Sequence, residues 1–273
     1  MTTSDKKISI LGCGWLGMPA GSRLAELGYT VKGSTTRAAQ TGKLALSGIL
    51  PYVVQFHPAN MPKAEDSFFD CSVLIVTLPP PVFQGVSDYH LLVHRKIASI
   101  AAQRSINRVI VISSTSVYED HAGMVMEEDA TYVQSAHSGI SLLEIEECYQ
   151  RLENKVTILR SAGQVGPGRH PGRFLSSKSS ISSSESPVNM VHLDDLIGAI
   201  EFTIQRDLDG TFNVCAPVHH TACSFYAEAF KSLGFDPLLC DGIKNKTKEV
   251  SSAKLLATGF SYRYPDLLDW LKQ

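Results

Sequence analysis

The chain has 273 residues, of which 44% are hydrophobic, enough to fill one large α/β domain or a nucleotide-binding domain with a smaller partner. A net charge of −2 and a pI near 6.5 argue against a nucleic acid or an anionic membrane surface as partner, and no apolar run approaches membrane-spanning length. The first strand starts a few residues after Met1, so no signal or transit peptide is expected.

Ile8-Ser9-Ile10-Leu11 reads as a short β-branched strand, followed at once by Gly12-Cys13-Gly14-Trp15-Leu16-Gly17. This G-x-G-x-x-G spacing suits a βαβ unit. The first glycine permits the tight turn, the second admits a pyrophosphate, and the third lets helix and strand pack closely. From Gly17 to Leu27 the apolar residues Met18, Ala20, Gly21, Leu24, Ala25 and Leu27 recur at helical spacing, and Gly28 is placed to end the helix. Phosphates would then sit on the helix N-terminus.

A second strand covers 29–33 and ends Ser34-Thr35-Thr36-Arg37. Further strand-like runs lie at 52–56, 72–78, 108–113, 155–160 and 211–215, with a helix from Tyr89 to Arg104 between the fourth and fifth. The runs 72–78 and 108–113 are almost continuously apolar, as central parallel strands are. The alternation predicts a Rossmann-like α/β fold, a doubly wound parallel sheet with a small C-terminal substrate lobe. Residues 1–165, with 188–215 returning to them, are expected to form the dinucleotide-binding domain, and 166–187 with 216–273 the lobe.

Such sheets bind ligands at the carboxyl ends of their strands. The candidate cofactor contacts are therefore Gly12, Gly14, Trp15, Leu16 and Gly17, then Ser34, Thr35, Thr36 and Arg37, then Phe56, His57, Leu78, Pro79, Pro80 and Ser113. Pro79-Pro80-Pro81 sets a stiff loop, either at the crevice or as a plain turn. An acid at the end of the second strand would select NAD, but no Asp or Glu occurs between Glu26 and Glu65. Two hydroxyls and the Arg37 guanidinium suit a 2′-phosphate instead, so NADP is expected ahead of NAD.

The cysteines, at 13, 71, 148, 215, 223 and 240, form no C-x-x-C pair and read as small core hydrophobes in a reducing cytoplasm. Cys13, inside the turn, is read as a tolerated small residue rather than a nucleophile. His90 and His94 share one helix face, as zinc ligands do, but no third ligand accompanies them. No metal is expected, and that face should meet solvent or another subunit. Ser176 to Ser186 reads as a mobile loop or lid, and helical stretches follow near 224–233 and 264–272.

These landmarks together resemble the extended short-chain dehydrogenase/reductases, the NAD(P)-dependent epimerase/dehydratase group, over nearly the whole chain. Besides the glycine turn they comprise Asp70 to Ile75, Ser113-Ser114-Thr115-Ser116-Val117-Tyr118, Thr157-Ile158-Leu159-Arg160, Gly166-Pro167-Gly168 and Val188 to Asp195. Gly210 to Val214 and Lys254 to Phe260 complete the match. The resemblance implies a nucleotide sugar or a related carbonyl or hydroxyl metabolite as substrate, and a monomer or homodimer. Phe56-His57 stands where the family commonly has an adenine-binding Asp. Asp194 or Asp195 would cap a helix from Leu196 to Gln205, His192 is a poor catalytic candidate, and Arg160 is expected to orient a loop carbonyl rather than a substrate anion.

The family's proton relay is a Tyr with a Lys one turn on, in the pattern Tyr-Gly-x-Ser-Lys with a Glu four residues later. Here the stretch reads Ser138-Gly139-Ile140-Ser141-Leu142, with Glu146 in place, so Ser138 and Leu142 replace both halves of the relay. Ser114, four residues before Tyr118, matches the family's catalytic hydroxyl, and His137 is the substitute acid/base that the residues offer. Tyr118 is expected to pack beside the strand end, and Tyr132 to reach the crevice only if its loop folds inward. Two functions follow: an oxidoreductase or epimerase with an atypical relay, or a redox sensor or scaffold that binds dinucleotide without turnover.

Overall fold

The computed structural model describes residues 6–79, 88–104, 106–119, 123–130, 142–175, 180–236, 238–243 and 247–273. Strands β1 (Lys7–Leu11), β2 (Thr30–Thr35), β3 (Leu50–Val53), β4 (Val73–Val76), β5 (Arg108–Ser114), β6 (Lys155–Ser161) and β7 (Gly210–Val214) form one parallel sheet. Its order is β7-β6-β5-β4-β1-β2-β3, the Rossmann-like arrangement expected. Helices α1 (Gly17–Glu26), α2 (Thr41–Leu46), α3 (Tyr89–Gln103), α4 (Leu142–Gln150) and α5 (Leu193–Gln205) accompany the strands.

The order reverses between β1 and β4, which opens the crevice where such sheets take ligands. All four residues of β4 are buried, in keeping with a strand covered on both faces. The third strand begins earlier than its hydrophobic run suggested. After Val53 the chain leaves the sheet edge, and the Phe56 carbonyl accepts the Tyr89 hydroxyl instead of a ladder bond.

The chain groups into two compact units, of residues 1–113, 132–159 and 200–211, and of 114–131, 160–199 and 212–273. The first has a core in which Leu11, Phe68, Phe69, Leu74, Ile97, Val109 and Tyr149 pack together. His90 and His94 belong to that interior at 5% and 3% exposure, so the face expected to meet solvent or another subunit is closed within the chain. His94 Nε2 lies 2.9 Å from His90 Nε2, and His94 Nδ1 lies 2.6 Å from the Tyr149 hydroxyl, while His90 Nδ1 is buried with no hydrogen-bond partner among the described residues.

The second unit has its own core of Val165, Ala216, Phe225, Ala229, Leu267 and Leu271, carried in part by α6 (Ala222–Lys231). Its described serine-rich part is ordered by short polar bonds. Ser180–Ile181 pairs with Leu239–Cys240, Ser184 is fully buried, and the Asp241 carboxylate accepts the N–H groups of Ser183 and Ser184. Cys223 and Cys240 are joined by a disulfide, which corrects the expectation that all six cysteines are free. The helix after β-strand Met190–His192 starts at Leu193, earlier than expected. His192 Nδ1 accepts the Asp194 N–H at its start, while the Asp195 carboxylate accepts the N–H groups of Arg263 and Tyr264.

Candidate functional site

The glycine turn is built by three different demands. Gly12 has φ +96°, a left-handed conformation that L side chains rarely adopt. At Gly17 a Cβ would lie 2.3 Å from the Gly12 carbonyl oxygen and 2.8 Å from Thr77 Oγ1, so only glycine fits. Gly14 has neither constraint: it is exposed, and a Cβ there would meet nothing within 4 Å.

Two neighbouring strands hold this turn in place. Gly12 N–H donates to Ser34 Oγ at 2.9 Å and Cys13 N–H donates to the Ser34 carbonyl at 2.9 Å. From the other side, the Thr77 hydroxyl donates toward the Leu11 and Gly12 carbonyls at 3.0 and 2.7 Å. Thr77 was not singled out in the sequence, although a hydroxyl ending an apolar run was the available signal. Burial pushes the Cys13 thiol up to about 12, so it is not a nucleophile. The turn feeds the N-terminus of α1, which has no side-chain cap and no acid in its first turn, leaving the positive end of the helix dipole toward the crevice.

On the β2 side, Ser34 is 3% exposed and committed to the turn, whereas Thr36 and Arg37 are exposed. Thr35 Oγ1 accepts the Arg37 N–H at 3.2 Å and Gln55 Nε2 donates to the Thr36 carbonyl at 2.7 Å, which fixes the backbone under the guanidinium. Phe56 is half-buried, and exposed His57 uses Nδ1 to accept the Ala59 N–H.

On the other side, register places the ends of β4 and β5 beside the turn, with Leu11 opposite Val76 and Val76 opposite Val111. Two strand spacings, about 10 Å, therefore separate the turn from the end of β5. Leu78 is half-buried and Pro79 exposed there, while Pro80 lies outside the described residues. Ser113 donates its hydroxyl proton to Glu146 Oε1 of α4 at 2.5 Å, and Glu146 is 1% exposed. Glu146 matched the family's glutamate in the sequence, but its partner could not be read from spacing.

Ser114 Oγ donates to Ser116 Oγ at 3.0 Å and accepts the Ser116 N–H at 3.1 Å. His137, Ser138 and Tyr132 lie outside the described residues, and α4 starts at Leu142. Tyr118 is 2% exposed, and burial raises the pKa of its phenol. Its hydroxyl donates to Asn213 Oδ1 at 2.5 Å and accepts from Arg160 Nη1, which also donates to the Glu127 carbonyl. Arg160 thus orients a loop carbonyl.

Two wider surface depressions, one lined by Tyr52, Lys63 and Phe69, the other by Arg108, Lys155 and Asp207, include no residue of the glycine turn. In the second, Asp207 accepts from both Arg108 and Lys155. Among the described residues no three His, Cys, Asp or Glu side chains are grouped to hold a metal ion, and no helix is long and apolar enough to cross a membrane.

No protein-family model matches the chain. Protein YeeZ of Escherichia coli K12 is 36% identical over 270 residues, covering 96% of this chain and 98% of that protein. A Methylobacillus flagellatus structure assigned to the NAD-dependent epimerase/dehydratases superposes with TM-score 0.80 at 24% identity, covering 97% and 96% of the two chains. UDP-glucuronic acid 4-epimerase from Bacillus cereus, solved with UDP-glucuronic acid and NAD, gives TM-score 0.76 at 17% identity, covering 97% and 96%. The chain belongs to the family of Escherichia coli Protein YeeZ, on the fold of the NAD-dependent epimerase/dehydratase group of extended short-chain dehydrogenase/reductases.

Proposed function

We propose that the chain binds a nicotinamide dinucleotide at the β1–α1 turn and acts as an oxidoreductase or epimerase on a nucleotide-sugar-like or small carbonyl or hydroxyl metabolite. Gly14 carries this proposal. The fold itself tolerates a side chain at 14, so the missing Cβ keeps the space above an uncapped helix N-terminus open for a pyrophosphate. Gly12, Gly14, Trp15, Leu16 and Gly17 would cradle the phosphates. Leu78, Pro79 and Ser113 would line the nicotinamide side, and Phe56 and His57 the adenine side. When bound, the cofactor supplies reversible hydride acceptance at its ring.

Arg37 points the preference toward NADP. It is exposed beside Thr35 and Thr36, and no carboxylate replaces it at the end of β2. Several solved neighbours hold NAD, and the reading toward NADP rests on Arg37 and the hydroxyls beside it alone. Ser114 and His137 stand as the acid/base candidates given by the sequence. The cytoplasmic setting read from the cysteine pattern has the Cys223–Cys240 bridge against it.

Calorimetry tests the proposal. Wild type should bind NADPH more tightly than NADH. Gly14→Val should keep its fold and lose at least about tenfold in affinity, since its side chain fills the phosphate space. Arg37→Ala should lose the NADPH preference alone. Absence of dinucleotide binding by wild type, or undiminished binding by Gly14→Val, defeats the site. The second function, binding without turnover, is favoured by Ser138 and Leu142 in place of the family's Tyr and Lys. No cofactor oxidation or reduction across a carbonyl and nucleotide-sugar panel would select it, and turnover lost in Ser114→Ala and His137→Ala would reject it.

A further inference from the structure

Ser113, placed above on the nicotinamide side, is paired with Glu146, which has no role in the binding reading. The 2.5 Å bond between them is in the range of an O–H···O⁻ bond to an ionised acceptor. A serine hydroxyl has one hydrogen and two lone pairs, so with its hydrogen committed to Glu146, Ser113 meets any further group as an acceptor. The side chain is half-buried at the carboxyl end of β5, while Glu146 is shielded behind it in α4. An alcohol O–H can donate to such an oxygen. A carbonyl cannot.

On the strength of the dinucleotide site, we propose that Ser113 and Glu146 together are its proton acceptor, replacing the phenol and ammonium that this chain lacks. In oxidation of a carbinol, the C–H bond breaks and its electron pair leaves with the hydrogen to the bound nicotinamide. The O–H proton moves to Ser113 Oγ as Ser113's own proton moves to Glu146 Oε1. A carbonyl and a neutral carboxyl result, and the reverse transfer restores the carboxylate. The charged and titratable groups on the same helix are Glu144, Glu147, Cys148 and Tyr149; from α3, His94 and then His90 reach Tyr149 through the bonds described. None of these bonds takes the Ser113 hydroxyl.

Proton-linked calorimetry reads the pair without any substrate. Binding of NADP⁺ and of NADPH is measured across a range of pH in buffers of different ionisation enthalpy. The 2′-phosphate is common to both ligands, so the difference in protons released isolates the charged ring. The positive ring favours ionised Glu146, so wild type should release more protons with NADP⁺ than with NADPH. Glu146→Gln still accepts from Ser113, so it should bind NADPH within about twofold of wild type, while NADP⁺ loses its attraction to the carboxylate charge and the proton difference disappears. Ser113→Ala should change the size of the difference, because the carboxylate loses the hydroxyl held against it.

No binding of either ligand refutes the dinucleotide site itself. Binding with equal proton counts for the two ligands in wild type, or an undiminished difference in Glu146→Gln, overturns the relay and leaves the site standing. If Glu146→Gln does not fold, Ser113→Ala decides: a proton difference identical to wild type at every pH overturns the relay.

Discussion

The Thr77 hydroxyl lies 2.7 Å from the Gly12 carbonyl oxygen and closes the glycine turn from the β4 side. Thr77→Val keeps the shape and removes the donor. About 1 kcal/mol of stability should be lost, with dinucleotide affinity reduced several-fold. Denaturant melts and calorimetry on the same preparation check both. Unchanged affinity would mean that the turn holds its form without the clasp.

Tyr118 follows the serine run, yet its phenol is sealed between Arg160 and Asn213. Tyr118→Phe should destabilise the second unit by about 1–3 kcal/mol, because it strips a partner from buried Arg160 and Asn213. Dinucleotide affinity should stay at the wild-type level. A stable variant with altered cofactor-linked chemistry would instead place the phenol in the reaction.

Burial pushes His94 down to about 3, with His90 adding to it, and pushes His90 down to about 4. Unfolded imidazoles titrate near pH 6.5, so between that value and about pH 4 the unfolded chain takes up protons that the fold refuses. Their contribution is complete above about pH 6.5 and declines as pH falls toward the folded values. Asp195, pushed up to about 6 by burial, works in the opposite sense, its contribution fading as pH rises through that value. His94→Gln should therefore flatten the fall in melting temperature between pH 7 and pH 4.5 relative to wild type. Parallel melting curves across that range would exclude the pair as its source.

Cys223 and Cys240 close a loop of 17 residues' separation within the second unit. Constraint of the unfolded chain by such a loop is worth about 3 kcal/mol. Dithiothreitol should lower the melting temperature of wild type to that of Cys223→Ser, and should leave Cys223→Ser unchanged. Wild type insensitive to the reductant would show that the bridge adds no stability.

The β1–turn–α1 unit was legible because its signals are local: apolar β-branched residues, fixed glycine spacing, and helical periodicity within one stretch. Partners distant in the chain were not. Thr77 and Gly12 stand 65 residues apart, and His94 and Tyr149 stand 55 apart. A histidine pair on an isolated helix reads as a polar face until a second helix supplies a phenol. Ser34 shows the same limit in another form. Residue type marked it as a phosphate ligand, but packing turns its hydroxyl to the Gly12 N–H. In the serine-rich segment, composition suggested mobility because it does not record that small hydroxyls and Asp241 can satisfy a tightly folded backbone.

Ser34 joins the end of β2 to the turn through two bonds, one from its side chain and one from its carbonyl. The surfaces proposed for the 2′-phosphate and for the pyrophosphate are thereby set relative to each other before any ligand arrives. Association should then be a rigid docking event, with an observed rate that rises linearly with ligand concentration and shows no saturating isomerisation phase. Ser34→Ala would loosen the two surfaces and bring such a phase into the stopped-flow trace, making affinity a matter of waiting time as well as contact.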